Sequence, residues 1–201
     1  MRNDSRIRGQ LDRFARPTPG TLRREIARHK RKESYWRLAA GTLASLVVAA
    51  AAIVLVTNLW LAVLRVDGSS MNPLLQMNEI VLVARKGKPA RGSVIAFIRG
   101  DKIYIKRVIA AGGDRVEIRE DGKVAVNGRT LDEPYVANPS LGSCDIEFPY
   151  LVPPDTLFVL GDNRPAAIDS RSSGFGAVHR EQVVGKVAFR LWPLPKLGRV
   201  S

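Results

Sequence analysis

Hydrophobic residues form one long apolar run near the start of the chain. No charged residue lies between Arg37 and Arg65, and the 27 intervening positions are mostly Ala, Val, Leu and Ile. A bilayer core about 30 Å thick needs about 20 helical residues, so the pattern predicts a membrane-spanning helix at 38–64. Trp36 and Trp60 lie near its two ends, where indole rings favour the membrane interface.

A buried helix and a cleaved secretory signal are both less consistent with the length of this run. A buried helix of a soluble protein rarely continues so far without a polar face. A cleaved secretory signal has an apolar core of about 7–15 residues and a short basic region. The run and the basic segment before it are both longer, which favours an uncleaved anchor.

Beyond residue 65 the apolar segments are short and rich in β-branched residues, and Gly, Pro and charged residues separate them, as is typical of strands. Turn signals at Asp121-Gly122 and Asn127-Gly128 flank Lys123–Val126 and predict a hairpin with Arg115–Ile118. Residues 132–155 hold five prolines and no clear period, which predicts an extended loop or insertion. The expected fold is mostly β behind one transmembrane helix. The other predicted strands are Ile80–Val83, Val94–Ile98, Ile103–Ile109, Leu157–Leu160 and Val187–Leu191.

The positive charge is concentrated before the apolar run. Of the formal net charge of +13, residues 1–37 contribute twelve Lys/Arg against four Asp/Glu. Seven Lys/Arg fall in the twenty residues before 38–64, and only Arg65 falls in the twenty after it. The positive-inside rule therefore predicts a basic cytoplasmic segment at 1–37 and an extracytoplasmic domain at 65–201. The basic segment can also attract anionic lipid. It carries no nucleic-acid recognition motif, so we expect a bilayer and not a nucleic acid as its partner.

Few residues suit metal or disulfide chemistry. The chain has one cysteine, Cys144, and two histidines, His29 and His179. A disulfide framework and a multi-cysteine metal site are therefore excluded, and we predict no metal or cofactor.

Three motifs suit nucleophilic catalysis when they are taken together. Ser70 lies between Gly68 and Pro73, Lys106 lies within an apolar strand, and an Asp/Arg cluster spans 161–171. Each motif alone has an ordinary structural explanation. The serine could belong to a turn, the lysine could be solvated on an edge strand, and the Asp/Arg cluster could form surface ion pairs. A serine hydroxyl, however, needs a base, and neither histidine is near these motifs in sequence. A neutral lysine can be that base if burial lowers its pKa.

The ordered motifs resemble those of the bacterial type I signal peptidases, the Ser-Lys dyad proteases. They are Gly-x-Ser-Met-x-Pro at 68–73, Tyr-x-Lys-Arg-Val-Ile at 104–109, and Gly-Asp-Asn-Arg at 161–164 followed by Asp-Ser-Arg at 169–171. Glu133-Pro134-Tyr135 is a further similar piece, and the likeness covers about residues 60–192. The resemblance implies a β-fold with its active site near the membrane, and removal of signal peptides from exported preproteins after small residues at the first and third positions before the cut.

The resemblance also implies roles for individual residues. Ser70 matches the nucleophile and Lys106 the general base, and the backbone N–H of Ser70 would hold the oxyanion. Some relatives have a hydroxyl at the position of Gly68, so a second oxyanion donor is not identified. The remaining motif residues would support the site, and they are Gly68, Met71, Arg107, Asp162, Arg164, Asp169 and Arg171.

Three positions depart from the family pattern. Leu74 stands where Thr is usual, and Ser93 stands where Asp is usual. Ala167 stands where a serine often contacts the catalytic lysine. The first two concern the scaffold, whereas the third concerns how Lys106 is oriented.

Two other functions are compatible with these residues. One is another Ser-Lys peptidase: a conjugative pilin-processing enzyme, or a self-cleaving stress-response repressor, which lacks a membrane anchor. The other is an inactive membrane-tethered protein of the same fold, which Ala167 favours and the presence of both Ser70 and Lys106 opposes. A further hypothesis concerns apolar residues near Ser70, which are expected either to touch lipid or to pack in the core. They are Met71, Leu74, Leu75, Ile80 and Val81.

Overall fold

The computed structural model describes residues 19–87 and 89–200, so residues 1–18 of the predicted basic segment lie outside the described residues. The chain divides into two compact units, residues 1–55 and 56–201. The first contains most of a single long helix, and the second contains the β-structure. Each unit is described by itself below.

One helix, α1, extends over Pro19–Trp60. Within it, the 21 residues of Tyr35–Leu55 are long and apolar enough to cross a membrane, and none of that stretch is buried. The helix ends at Trp60, whose carbonyl accepts a hydrogen bond of 2.9 Å from the Arg85 N–H. Residues 61–64, which the hydrophobic pattern assigns to the span, instead begin a strand.

All strand pairs described in the second unit are antiparallel. The larger sheet has the order β1-β2-β11-β3-β4-β9-β10, with β12 paired to β11, and the smaller has the order β7-β6-β5-β8. The mostly β prediction is confirmed. The strands are β1 Leu61–Arg65, β2 Ile80–Ala84, β3 Val94–Arg99, β4 Lys102–Ala111, β5 Arg115–Ile118, β6 Val124–Val126, β7 Arg129–Thr130, β8 Tyr150–Leu151, β9 Thr156–Leu160, β10 Val178–His179, β11 Val183–Trp192 and β12 Gly198–Arg199.

The predicted hairpin forms as β5 and β6, with Val116 opposite Val126. Asn127 and Gly128 form the two-residue turn into β7 with φ of 51° and 78°, the left-handed values that such a turn requires. The predicted loop at 132–155 is irregular between β7 and β9, apart from the short strand β8.

Three buried clusters form the core of the second unit. The first packs Met71, Leu75 and Val81, each at most 2% exposed, against Val66 and Val83. The hypothesis of a lipid-touching surface is therefore wrong for Met71, Leu75 and Val81: these side chains are enclosed in the core and cannot reach a bilayer. Leu74 is only partly buried, against the same cluster. The other clusters lie around Phe158, under the smaller sheet, and around Phe97 and Phe175.

Candidate active site

Ser70 lies in the loop that follows β1. Gly68 enters this loop with φ of 110°, a conformation that favours glycine. The loop is fixed from the 161–164 segment, because the Asn163 side-chain amide donates to the Ser69 carbonyl at 3.1 Å. The Asn163 backbone N–H donates to the Ser70 carbonyl at 3.0 Å. The nucleophile candidate is thus held by contacts between two of the three sequence motifs.

Lys106 lies in β4, which is an interior strand between β3 and β9. It is opposite Ile95 of β3, and only 2% of its surface is exposed. The interpretation of Lys106 as a solvated lysine on an edge strand is therefore wrong. Arg107, on the opposite face of β4, is also 2% exposed, so both faces of this strand are covered.

Burial lowers the pKa of Lys106 from 10.5 to about 8. The nearby carboxylates of Asp169 and Asp162 act in the opposite direction, and Arg171 lowers the pKa further. Among the ion pairs of the described residues, none includes Lys106. Its amine is therefore buried without an ion-pair partner in that part of the chain, which is the condition that favours the neutral form.

The carboxylates near Lys106 are paired with arginines. Arg107 binds Asp162 through Nε at 2.9 Å and Nη2 at 2.8 Å, and its Nη1 donates to the Gly92 carbonyl at 2.8 Å. Asp169 accepts from Arg171 Nε at 2.8 Å and Nη2 at 2.9 Å. All four side chains are at least 97% buried. These bidentate pairs leave few acceptor positions for an ammonium group.

Gly161 is where the serine loop and the lysine meet. A Cβ atom placed on Gly161 would lie 2.6 Å from the Ser70 carbonyl oxygen, 3.5 Å from Lys106 Nζ and 2.5 Å from the Ala167 Cβ. The Gly161 N–H donates to Asp169 at 2.9 Å, and its carbonyl accepts from Arg164 Nε at 3.1 Å. The absence of a side chain at 161 is what allows the Ser70 carbonyl group and the Lys106 amine to lie close to one point.

A cleft of about 340 Å³ opens beside Ser70. Its walls are the chain from Leu64 to Met71 on one side and the start of β4 on the other. The chain around Ser70 and the strand that carries Lys106 therefore border one cavity large enough for a short peptide segment. The lining residues are Leu64, Arg65, Val66, Asp67, Gly68, Ser70, Met71, Lys102, Ile103, Tyr104 and Ile105.

The family of this chain follows from its similarity to known proteins. Residues 39–192 match the family described as "Signal peptidase, peptidase S26". The chain belongs to this peptidase family. It is 36% identical to "Probable signal peptidase I-2" of Synechocystis, over 68% of this chain and 65% of that protein's length. It is 32% identical to "Signal peptidase I S" of Bacillus subtilis, over 78% of this chain and 91% of that one.

A crystal structure of a signal peptidase I from Enterococcus faecalis is 34% identical, with a TM-score of 0.44, and the match covers 50% of this chain and 97% of that one. The sequence-based prediction of a peptidase of this family is confirmed by the family match. The assignment of individual site residues stays a prediction.

For this peptidase, the three departures from the family pattern have different surroundings. Leu74 is partly buried against the first core cluster. The Ser93 carbonyl accepts from the Val108 N–H at 2.9 Å, so Ser93 contributes through its backbone. Ala167 is 2% exposed and packs at Gly161, the residue that also lies near Lys106 Nζ.

Two residues that the sequence analysis did not assign belong to the same network. Glu133 pairs with Arg164 at 2.5 Å, and Arg164 is 1% exposed. The Tyr135 ring centroid lies 3.8 Å from the guanidinium carbon of Arg107. Both were visible only as part of Glu133-Pro134-Tyr135, in a segment without a strand period that could have indicated their partners. Among the described residues, no group of three or more His, Cys, Asp and Glu side chains could hold a metal ion.

Proposed function

We propose that this chain is a membrane-bound serine endopeptidase that removes signal peptides from exported preproteins. Ser70 is the nucleophile and Lys106 is the general base. The observation that carries the proposal is the state of Lys106: its amine is buried, has no ion-pair partner among the described residues, and meets the Ser70 segment at Gly161.

The reaction follows the logic of a Ser-Lys pair. The neutral Lys106 amine takes the proton of the Ser70 hydroxyl as Oγ attacks the scissile carbonyl carbon. The backbone N–H of Ser70 holds the developing oxyanion. The Lys106 ammonium then gives its proton to the leaving amine as the C–N bond breaks. The neutral Lys106 amine next takes a proton from the water molecule that attacks the acyl-enzyme, and it returns this proton to Ser70 Oγ as the ester bond breaks.

The electrostatics suit this role. With a pKa of about 8, about a tenth of the Lys106 side chains are neutral at pH 7. An ordinary lysine with a pKa of 10.5 would be neutral in fewer than about one molecule in a thousand. Because the arginines bind the carboxylates of Asp162 and Asp169, these carboxylates do not restore the lysine pKa to its ordinary value.

The substrate class follows from the family and from the cleft. Relatives named signal peptidase I support signal peptides as substrates, and the resemblance implies small residues at the first and third positions before the cut. The cleft beside Ser70 is lined on one wall by Ile103 and Ile105, and its volume of about 340 Å³ can hold a short peptide segment. The apolar stretch of α1 supports a membrane anchor, which would keep the peptidase on the same bilayer as its substrates.

The decisive experiment compares cleavage of a labelled preprotein by the full chain and three variants in detergent micelles. We expect Ser70→Ala and Lys106→Met to abolish cleavage. Lys186→Met is the matched control, because Lys186 is an exposed lysine opposite Ile95, the residue that also faces Lys106 across the sheet. It should cleave like the parent. Unreduced cleavage by Ser70→Ala would refute the proposal, and cleavage of a pilin precursor but no other preprotein would favour a pilin-processing enzyme.

A further inference from the structure

The segment between β7 and β8, residues 131–149, is called the strap here. Its chain runs without strand pairing, and it is attached by apolar side chains to the cluster around Phe158. Polar groups of the strap contact two buried arginines, Arg164 and Arg171, and an aromatic ring of the strap contacts a third, Arg107. The apolar attachments are Leu131, Leu141, Ile146 and Phe148.

Arg164 and Arg171 each connect the strap to the site. Arg164 Nε donates to the Gly161 carbonyl, while its Nη1 and Nη2 donate to Glu133 of the strap at 3.2 and 2.5 Å. Arg171 binds Asp169 with one edge, and its Nη1 donates to the Leu141 carbonyl at 2.7 Å. Each of these two guanidinium groups therefore has one set of acceptors in the strap and another beside the active site.

The third arginine is held by an aromatic ring. Tyr135 lies with its ring centroid 3.8 Å from the Arg107 guanidinium carbon, and its hydroxyl donates to Glu133 at 2.9 Å. Burial raises the pKa of the Tyr135 hydroxyl, so it stays a donor. Glu133 thus binds both Arg164 and Tyr135. Together Glu133 and Tyr135 contact Arg164, which binds Gly161, and Arg107, which lies beside Lys106 in β4.

We propose that Glu133 and Tyr135 are positioning residues for the reaction proposed above, on which this inference rests. They hold Arg164 and Arg107, and through these arginines they fix Gly161 and β4 around the catalytic lysine. The strap is thereby part of the active-site support, and not only an insertion between two strands.

The physical reason is the burial of the arginines. Arg164 is 1% exposed, and a buried cation that loses its partner is an uncompensated charge that strongly destabilises its surroundings. Without Glu133, Arg164 loses its only ion-pair partner among the described residues and releases the Gly161 carbonyl. Water can then enter beside Lys106, which weakens the burial that keeps its amine neutral.

The test uses the full chain in detergent micelles with a labelled preprotein. For Glu133→Gln and Tyr135→Leu we expect kcat at pH 7 to fall by about tenfold, with KM within about twofold of the parent. The acid limb of the kcat profile should move to higher pH by about one unit, because each unit of lysine pKa changes the neutral fraction about tenfold. Tyr135→Phe keeps the ring on Arg107 and should recover most of the activity that Tyr135→Leu loses.

A matched control separates positioning from a general effect of removing a paired carboxylate. Glu117→Gln removes an exposed ion pair with Arg115. It should keep the parent's kcat profile. Strap variants that lower only the melting temperature, with an unmoved acid limb, would overturn the proposal.

A second measurement is independent of cleavage. The pKa of Lys106 is followed by NMR through its ¹³Cε shift, assigned with Lys106→Met, in parent, Glu133→Gln and Tyr135→Leu. An upward shift of the Lys106 pKa in the strap variants supports the strap proposal, whether or not the parent cleaves a preprotein. A parent that cleaves no preprotein would refute only the proposed function. An unchanged pKa in folded strap variants refutes the strap proposal, and Tyr135→Leu decides if Glu133→Gln does not fold.

Discussion

Two neighbouring cations in β4 are stabilised in different ways. Arg107 has two hydrogen bonds to Asp162, one to Gly92 and an aromatic ring against its face, whereas no ion pair within the described part of the chain holds Lys106. The difference follows from acidity: a guanidinium stays charged in proteins and must be paired when buried, while a lysine can lose its proton instead. The lysine is therefore the residue of the two that can exchange a proton.

Lys106→Met should remove activity without loss of stability. The lowered pKa disfavours the charged form in the fold, so below about pH 8 the folded parent carries a penalty that the unfolded chain does not. A shift from 10.5 to about 8 corresponds to about 3 kcal/mol at about 1.36 kcal/mol per unit. Methionine keeps most of the apolar stem without the charge, and we expect an unfolding free energy at pH 7 equal to or above that of the parent.

The difference in stability between the parent and Lys106→Met should change with pH in one direction. Between about pH 8 and 10.5 the unfolded chain holds more protons at residue 106 than the fold does, so the parent gains stability relative to Lys106→Met as pH rises. Thermal melts from pH 6 to 10 measure the difference. Loss of both stability and activity in the variant would indicate a lysine held charged by a carboxylate, and retained activity would end the Ser-Lys mechanism.

Gly161→Ala should disturb the site by crowding. The new methyl group would meet the Ser70 carbonyl oxygen at 2.6 Å and the Ala167 Cβ at 2.5 Å, so the serine loop must move. We expect a loss of about 1–3 kcal/mol of unfolding free energy, as for other overpacked sites, and a much larger proportional loss of kcat. Gly198→Ala is the control, because no atom of the described residues crowds its new methyl group within 4 Å. Equal kcat for both variants would contradict the close approach at Gly161.

At the residue scale, sequence could identify the chemistry but not all of its support. Ser70 and Lys106 stand out because a serine nucleophile needs a base and neither histidine is near it in sequence. Glu133 and Tyr135 gave no such signal, since their partners Arg164 and Arg107 are about thirty residues away on either side and only folding brings them together.

At the element scale, β4 is an interior strand, and its burial determines how much stability is lost when an ion-pair partner of its side chains is changed. Asp162→Asn would leave Arg107 buried at 2% exposure without its carboxylate. Breaking a buried ion pair in this way costs about 3–5 kcal/mol, so we expect a strongly lowered melting temperature and little active protein at about 37 °C. Glu117→Gln breaks an exposed pair and should change stability by less than about 1 kcal/mol. Calorimetry of the two variants makes the comparison, and similar losses in both would argue against a buried Arg107–Asp162 pair.

Most strands could be predicted because β-branched runs alternate with turn residues. The segments Ile80–Val83, Val94–Ile98 and Leu157–Leu160 all lie within observed strands. Strand β1 could not be separated from the apolar run before it, because a short apolar strand and a membrane helix share the same composition over a few residues. Only pairing with β2 distinguishes Leu61–Arg65 as a strand.

At the scale of the whole molecule, the charge distribution predicts a topology. Seven Lys/Arg precede the predicted span within twenty residues and one follows it, so we expect residues 1–37 in the cytoplasm and the β-unit outside. Protease added to intact spheroplasts should digest the β-unit and leave an N-terminal tag protected. The same tag should become accessible once the spheroplasts are lysed. A protected β-unit with a digested N-terminus would reverse the assignment.

The order of the strands along the chain has a consequence for biosynthesis. Lys106 is in the middle of the sequence, but the strand that covers one edge of β4, Thr156–Leu160, and an arginine that lowers the lysine pKa, Arg171, are made near its end. A ribosome that has completed only the first two-thirds of the chain has produced both members of the proposed pair, with a lysine that is still hydrated and charged. We therefore expect the nascent chain to have no peptidase activity while it passes through the export machinery that also carries its substrates. Activity would then appear only when the fold is complete, and this delay requires no propeptide.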